Sequence, residues 1–107
     1  MELPRDAVLL RIFIGENDLF QGEPLFKVIV LRAREQHLAG ATVFRGPMGF
    51  GKSSHIDKNP VPRLSFDCPI VIEMVDAEEK IRSFLPTVEA IIGPGLITIE
   101  RVQAISY

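Results

Sequence analysis

Apolar and polar residues alternate along "AVLLRIFIG" (7–15), with Val8, Leu10, Ile12 and Ile14 on one side and Leu9, Arg11 and Phe13 on the other. A period of two carried by branched side chains predicts a strand. "ENDLFQGEP" (16–24) interrupts the alternation with Asn, Asp, Gly and Pro and reads as a loop. From Pro24 the period lengthens. Leu25, Ile29, Arg32/Ala33 and Gln36 mark one stripe of a helix running to Leu38, widened by Val28 and Leu31, with Gly40 as its stop. "ATVFRG" (41–46) returns to alternation, Thr42 and Phe44 opposite Val43, and begins a second strand. Residues 46–62 hold three glycines and three prolines and read as a loop.

"CPIVIEMVD" (68–76) predicts a third strand, with Ile70, Ile72 and Met74 facing one way and Val71, Glu73 and Val75 the other. In "AEEKIRSFLPTVEAIIG" (77–93), Ile81, Phe84, Leu85, Val88, Ile91 and Ile92 recur at helical spacing. Acidic residues fill its first turn, where the helix dipole favours them, and Pro86 should kink or split it. "GPG" (93–95) ends that helix. "LITIERVQAISY" (96–107) is a final strand whose apolar phase slips at Glu100 and Arg101, as a bulge there would produce.

Strand, helix, strand, strand, helix, strand is the order of an α+β, ferredoxin-like βαββαβ fold: a four-stranded antiparallel sheet with two helices on one face. The whole chain, 1–107, makes one domain. In the usual strand order, 4-1-3-2, the first and third strands are neighbours. Arg11 and Glu73 should then meet across them, on the face that carries Phe13 and Val75. Both faces of the sheet are apolar and the helices can cover only one. The other should be covered by further copies of the chain, packed sheet to sheet.

Composition sharpens this picture. The chain has 107 residues, 47% of them hydrophobic, and a mean hydropathy of +0.21. That is apolar for a small domain with a large surface-to-volume ratio, and it fits an oligomer interface. A net charge of −2 and a pI near 5.6 argue against a nucleic-acid partner, which calls for a basic patch. A single cysteine, Cys68, excludes an intrachain disulfide and fits a reducing compartment. The first residues lack the basic start and apolar core of a signal peptide, and Arg11 interrupts the longest apolar run. The expectation is a cytoplasmic protein without direct membrane insertion.

Candidate chemistry centres on "GPMGFGKS" (46–53), which meets the P-loop pattern. That pattern works because a helix opens at its Lys-Ser and aims amides and dipole at phosphate. Here "SSHIDKNPVPRL" follows, with Pro60, Pro62 and no apolar period, so a nucleotide-hydrolysing loop is not expected. Two readings remain open: a hairpin connection whose glycines serve turns, or exposed backbone that cradles an anion beside Arg45 and Lys52. An RNA-recognition module shares the element order, but it stacks bases on aromatics of its third strand, which has none here. His37 and His55 stand apart, without Cys or carboxylate at metal spacing, so no metal is expected. Cys68 before Pro69 reads as a small buried apolar residue, and Glu78 with Glu79 as a favourable helix start. No nucleophile, base and orienting group stand together, and the chain is not expected to be an enzyme.

"LRIFIGENDLFQGEPLFKVIVLRAREQHLAGATVFRGPMGFG", "PIVIEMVDAEEKIRSFLP" and the closing strand, residues 7–107, together resemble the PII-like signalling proteins catalogued as domain of unknown function 190. The most specific parts are "GATVFRGPMGFG", "VIEMVD" and the spacing between them. The resemblance implies a homotrimer of ferredoxin-like protomers, as in PII and CutA-type proteins. It implies a regulator that binds a small ligand, with an adenine nucleotide as the candidate, in clefts between subunits. A partner protein, such as a membrane transporter or an enzyme, would be contacted through a flexible loop at about 52–63. The implied ligand site comprises the loop base, Arg45, Gly46, Gly49, Phe50, Gly51 and Lys52, together with the turn Gly93-Pro94-Gly95 and the nearby charge of Arg101. Nucleotide-binding PII proteins carry a phosphate-binding lysine directly after that turn. Leu96 stands there in this chain, so a triphosphate held in the usual way is not what the resemblance implies. A smaller phosphate, a nucleoside monophosphate or another anion fits better. A structural or adaptor trimer with no small ligand is the alternative reading.

Overall fold

The computed structural model describes residues 5–51 and 67–107. The expected loop at 52–63, with Lys52, His55, Pro60 and Pro62, lies outside the described residues. Alternation in the long strands decides the core. Val8, Leu10, Ile12 and Ile14 of β1 (Asp6–Gly15) and Ile70, Ile72 and Met74 of β5 (Pro69–Asp76) are all buried. Over them lie α1 (Leu25–Glu35), through Leu25, Ile29 and Ala33, and α2 (Glu78–Ile91), through Ile81, Phe84 and Val88. With β4 (Thr42–Arg45) and β6 (Leu96–Gln103) the sheet runs β4-β5-β1-β6, every neighbouring pair antiparallel. This is the expected βαββαβ fold, with both helices on one face.

The loop at 16–24 holds an element that the alternation does not announce. β2 (Leu19–Phe20) and β3 (Glu23–Pro24) form a two-residue hairpin around Gln21 and Gly22, whose φ angles are 50° and 80°. Two successive positive φ values give a type I′ turn, whose twist matches that of the paired strands.

α1 stops at Glu35, before the expected Leu38, and Gly40 is not its stop. His37 adopts φ 61°, His37 N–H donates to the Arg34 carbonyl at 3.1 Å, and Leu38 N–H to the Ala33 carbonyl at 3.0 Å. Those two bonds make a Schellman motif with histidine at the left-handed position usually held by glycine. A side chain there costs roughly 1–2 kcal/mol. His37→Gly is expected to raise stability by about 0.5–1 kcal/mol, the gain being reduced by glycine's larger unfolded-state entropy. Thermal unfolding of the two proteins checks this.

Two further expectations are corrected. α2 runs unbroken from Glu78 to Ile91 with Pro86 inside it, so the proline does not split the helix. Arg82, whose carbonyl loses its helical donor, and Pro86 are both exposed residues. β6 carries no bulge: its register with β1 is continuous from Asp6↔Gln103 to Phe13↔Leu96. Ile97 and Ile99 lie opposite Ile12 and Leu10 on the helix-bearing face, and Val102 opposite Ala7 on the other. The slip in the sequence is a change of apolar face without any change of register.

The helix-free face carries Leu9, Phe13, Phe44, Val71, Val75 and Leu96 around a charged centre. Arg11 Nε lies 2.8 Å from Glu73 Oε2, its direct cross-strand partner, and Arg11 Nη1 3.2 Å from Glu100 Oε2. The expected Arg11–Glu73 contact is present on the expected face, extended by a second carboxylate. The hydrogen bond to Glu73 leads in holding the Arg11 guanidinium even more firmly charged than usual.

Candidate ligand site at the glycine-rich loop base

Pro69 organises this end of the sheet. Proline offers no N–H to a ladder and is tolerated as the first residue of a strand, which is where β5 places it. Glu16 N–H donates to the Cys68 carbonyl and Gly46 N–H to the Pro69 carbonyl, both at 2.8 Å. The ends of β1 and β4 are thereby tied to either side of the Cys68-Pro69 step.

The tie explains two of the glycines. A Cβ on Gly46 would lie 2.8 Å from Pro69 Cγ, and one on Gly49 3.1 Å from the same atom, with Gly49 at φ +153°. Both are needed for the chain to pass over the proline. Gly51 is different: it is exposed, and a Cβ there would meet nothing within 4 Å. Between them Met48 and Phe50 are 70% and 89% exposed, so this segment presents apolar side chains to its surroundings rather than to the core.

The turn at 93–95 divides the same way. A Cβ on Gly95 would lie 2.9 Å from the Phe13 carbonyl oxygen and 3.0 Å from Ile92 Cδ1, whereas one on Gly93 would meet nothing within 4 Å. Packing among the described residues therefore accounts for Gly46, Gly49 and Gly95, whereas a Cβ on Gly51 or Gly93 would meet none of those residues within 4 Å.

Arg45 closes the loop base. Its Nε donates to Glu16 Oε1 at 2.9 Å, with the arginine side chain half exposed. The hydrogen bond from Arg45 holds the Glu16 carboxyl below the usual carboxylate range, against the opposing effect of burial. The nearby Cys68 backbone N–H and thiol add smaller effects in the same direction as Arg45. The other carboxylate oxygen, Oε2, is buried and has no hydrogen-bond partner. Around the pair, Asp18 Oδ2 accepts from Gly15 N–H at 2.9 Å and Asp67 Oδ1 from Asn17 N–H at 3.3 Å. Cys68 is buried beneath it.

A carboxyl whose folded pKa is lowered contributes stability above its ordinary pKa and loses it as pH falls through the folded value. The stability difference between the wild type and Glu16→Gln should therefore be full above about pH 4.5, the ordinary value, and shrink in more acid solution. Urea denaturation across pH 3–7 reads it.

The structure brings together Arg45, Gly46, Gly49, Phe50 and Gly51 at one edge of the sheet and Gly93 with Gly95 at the other. Both groups sit at the end where β1 finishes, since Gly15 pairs with Pro69 and Phe13 with Leu96. In the order β4-β5-β1-β6 the two edges are three strand spacings apart, roughly 14 Å. Arg101 is elsewhere. It pairs with Val8 near the start of β1, and its Nη2 lies 3.2 Å from Glu78 Oε1 at the start of α2. Glu16 is the residue that sequence reading missed, because nothing in "GEND" shows which strand end its carboxylate reaches. Among the described residues no three His, Cys, Asp or Glu side chains are grouped to hold a metal ion, and no helix is long and apolar enough to cross a membrane.

With this geometry in view, the model of the DUF190 family (Uncharacterized ACR) matches residues 7–104. A UPF0166 protein of Aquifex aeolicus is 44% identical over 97 residues, 91% of each chain. A UPF0166 protein of Methanocaldococcus jannaschii is 38% identical over 94 residues, 87% of this chain and 86% of its own length. Among solved structures, that of CPII bound to ADP and bicarbonate, from Thiomonas intermedia K12, superimposes with a TM-score of 0.58. It is 17% identical and covers 92% of this chain and 88% of CPII.

Proposed function

The chain belongs to the DUF190 family, and from that premise we propose that it is a PII-like regulatory protein of the cytoplasm, non-catalytic and assembled as a homotrimer. It takes an adenine nucleotide or a similar small anion in clefts between copies and acts on a partner protein through residues 52–63. Arg45, Gly46, Gly49, Phe50, Gly51 and Lys52 of one copy and Gly93 with Gly95 of the next line the cleft, Arg101 of the chain standing apart from it.

One observation carries this reading: the two glycine elements share an end of the sheet but lie on opposite edges. No single copy can close them on one ligand, whereas the β4 edge of one copy beside the β6 edge of another can. A Cβ on Gly51 or Gly93 would meet nothing within 4 Å among the described residues, so both positions leave room for a neighbour or a ligand. The apolar helix-free face supplies the surface that holds copies together. CPII, whose fold this chain shares, is bound to ADP and bicarbonate, which supports a nucleotide-sized anion as the ligand class. A ligand at the base of residues 52–63 biases their conformation, and a partner that reads them must by reciprocity alter ligand affinity.

The packing of Gly46 and Gly49 against Pro69 favours a second reading, a structural or adaptor trimer without a small ligand. Light scattering gives the assembly, and calorimetry with ATP, ADP, AMP and cyclic nucleotides separates the readings. One site per subunit for any member of the panel supports the regulator; silence across it leaves the adaptor.

A further inference from the structure

An arginine at a candidate anion site is expected to present its charge outward. Arg45 does so only in part: its side chain is half exposed, but its Nε is already paired. Its Nε donates to Glu16 Oε1 at 2.9 Å, and both backbones are pinned, Arg45 opposite Ile70 in the β4–β5 ladder and Glu16 by its N–H on the Cys68 carbonyl. The pair is a product of the fold, joining the end of β1 to the edge strand β4, rather than a chance meeting of two long side chains.

The charges around it point the same way. Asp18 and Asp67 lie beside Glu16, accepting backbone N–H groups from Gly15, the last residue of β1, and from Asn17 just after it. Among these described groups, three carboxylates accompany one guanidinium, so these four side chains by themselves offer little net attraction to an anion. The Nε–H is committed to the carboxylate, so Arg45 can turn its whole guanidinium fork to a ligand once the carboxylate gives way. Glu16 can do so, because its side chain retains 28% exposure and the pair is open to solvent on the arginine side. Exposed pairs of this kind are weak and are readily exchanged for a more highly charged partner. Glu16 Oε2, buried with only the weakly placed Cys68 N–H and thiol nearby, marks the pairing as an imperfect one: turning the carboxylate outward hydrates an oxygen that makes no well-formed hydrogen bond where it is.

We propose that Glu16 is a built-in counter-anion that occupies Arg45 and sets the site's affinity, so that an anionic ligand binds by displacing it. The inference deepens the regulatory reading above and rests on it. It makes Glu16 a determinant of selectivity. A phosphate, with several charged oxygens that match the guanidinium fork, competes with the carboxylate more effectively than a monoanion does.

The test is calorimetric titration of ADP into wild type, Glu16→Gln, Glu16→Ala, Arg45→Ala and the Glu16→Gln/Arg45→Ala double variant, each first shown to unfold cooperatively. Displacement predicts that Glu16→Gln and Glu16→Ala tighten ADP binding by up to about fivefold, the upper end expected for releasing one exposed ion pair. The gain should vanish in the double variant, which should match Arg45→Ala. Binding seen only in the Glu16 variants supports the inference in its strongest form. Unchanged or weaker binding in both Glu16 variants, with the wild type binding ADP, overturns it: Glu16 would then orient Arg45 rather than compete for it, and the regulatory reading would stand. No binding of ADP by wild type or either Glu16 variant overturns the inference and removes ADP from the ligands open to the regulatory reading, which the wider nucleotide panel then tests separately.

Discussion

Asp76→Ala is expected to cost about 2–3 kcal/mol, on the scale of hydrogen bonds made to a charged group. Asp76 ends β5 almost fully buried, 2% exposed, and its two oxygens do two separate jobs. Oδ1 accepts from Ala77 N–H at 2.7 Å, at the entry to α2, and Oδ2 accepts from Ala39 N–H at 2.9 Å, in the connection between α1 and β4. Alanine removes both acceptors at once. Asp76→Asn keeps one carbonyl oxygen but turns an amide toward the other N–H, and should lose roughly half as much. Urea unfolding measures both. A loss below about 0.5 kcal/mol for Asp76→Ala would mean that water replaces the carboxylate freely. Asp76 continues the buried face of β5 after Ile70, Ile72 and Met74. In the fold it is a clasp between two connections, and its removal should loosen β4, the strand that carries Arg45.

Gly95→Ala and Gly93→Ala form a pair with opposite expectations. The new methyl on Gly95 would meet the Phe13 carbonyl at 2.9 Å, a backbone atom that cannot swing aside, together with Ile92 Cδ1 at 3.0 Å. Overpacking of this kind costs about 1–3 kcal/mol. A methyl on Gly93 meets nothing within 4 Å, so Gly93→Ala should leave the melting temperature unchanged or slightly raised through a less flexible unfolded chain. If the turn lines a ligand cleft, Gly93→Ala should nevertheless weaken ADP binding. Thermal unfolding and calorimetry on the same two variants separate a glycine kept for packing from one kept for access.

Which features were legible beforehand follows from how far each signal reaches along the chain. Arg11 and Glu73 could be paired because strand alternation assigns each a face, and the strand order makes their strands neighbours. The core stripe of α1 emerged in the same way, through Leu25, Ile29 and Ala33. The β2–β3 hairpin stayed hidden because two-residue strands are too short to show a period. His37 as a helix stop was invisible because its positive φ is imposed by the Schellman bonds and not by its side chain. In β6, Val102 mimicked a bulge because apolarity moves to the other face opposite Ala7. At the candidate site the glycines could be named from composition, but their different roles depend on Pro69 and Phe13, which are distant in sequence. Glu16 depends on the meeting of three chain segments, for which a linear pattern holds no trace.

The opposite-edge placement of the two glycine elements also fixes the symmetry of any site that uses both. Unlike surfaces meet there, so the contact is heterologous, and it must close into a ring to avoid growing into a filament. In such a ring each copy lends one half to each of two sites. One copy carrying both Arg45→Ala and Gly93→Ala, mixed into an otherwise wild-type ring, would then damage two sites rather than one. Ligand stoichiometry in mixed assemblies would fall faster than the fraction of altered subunits.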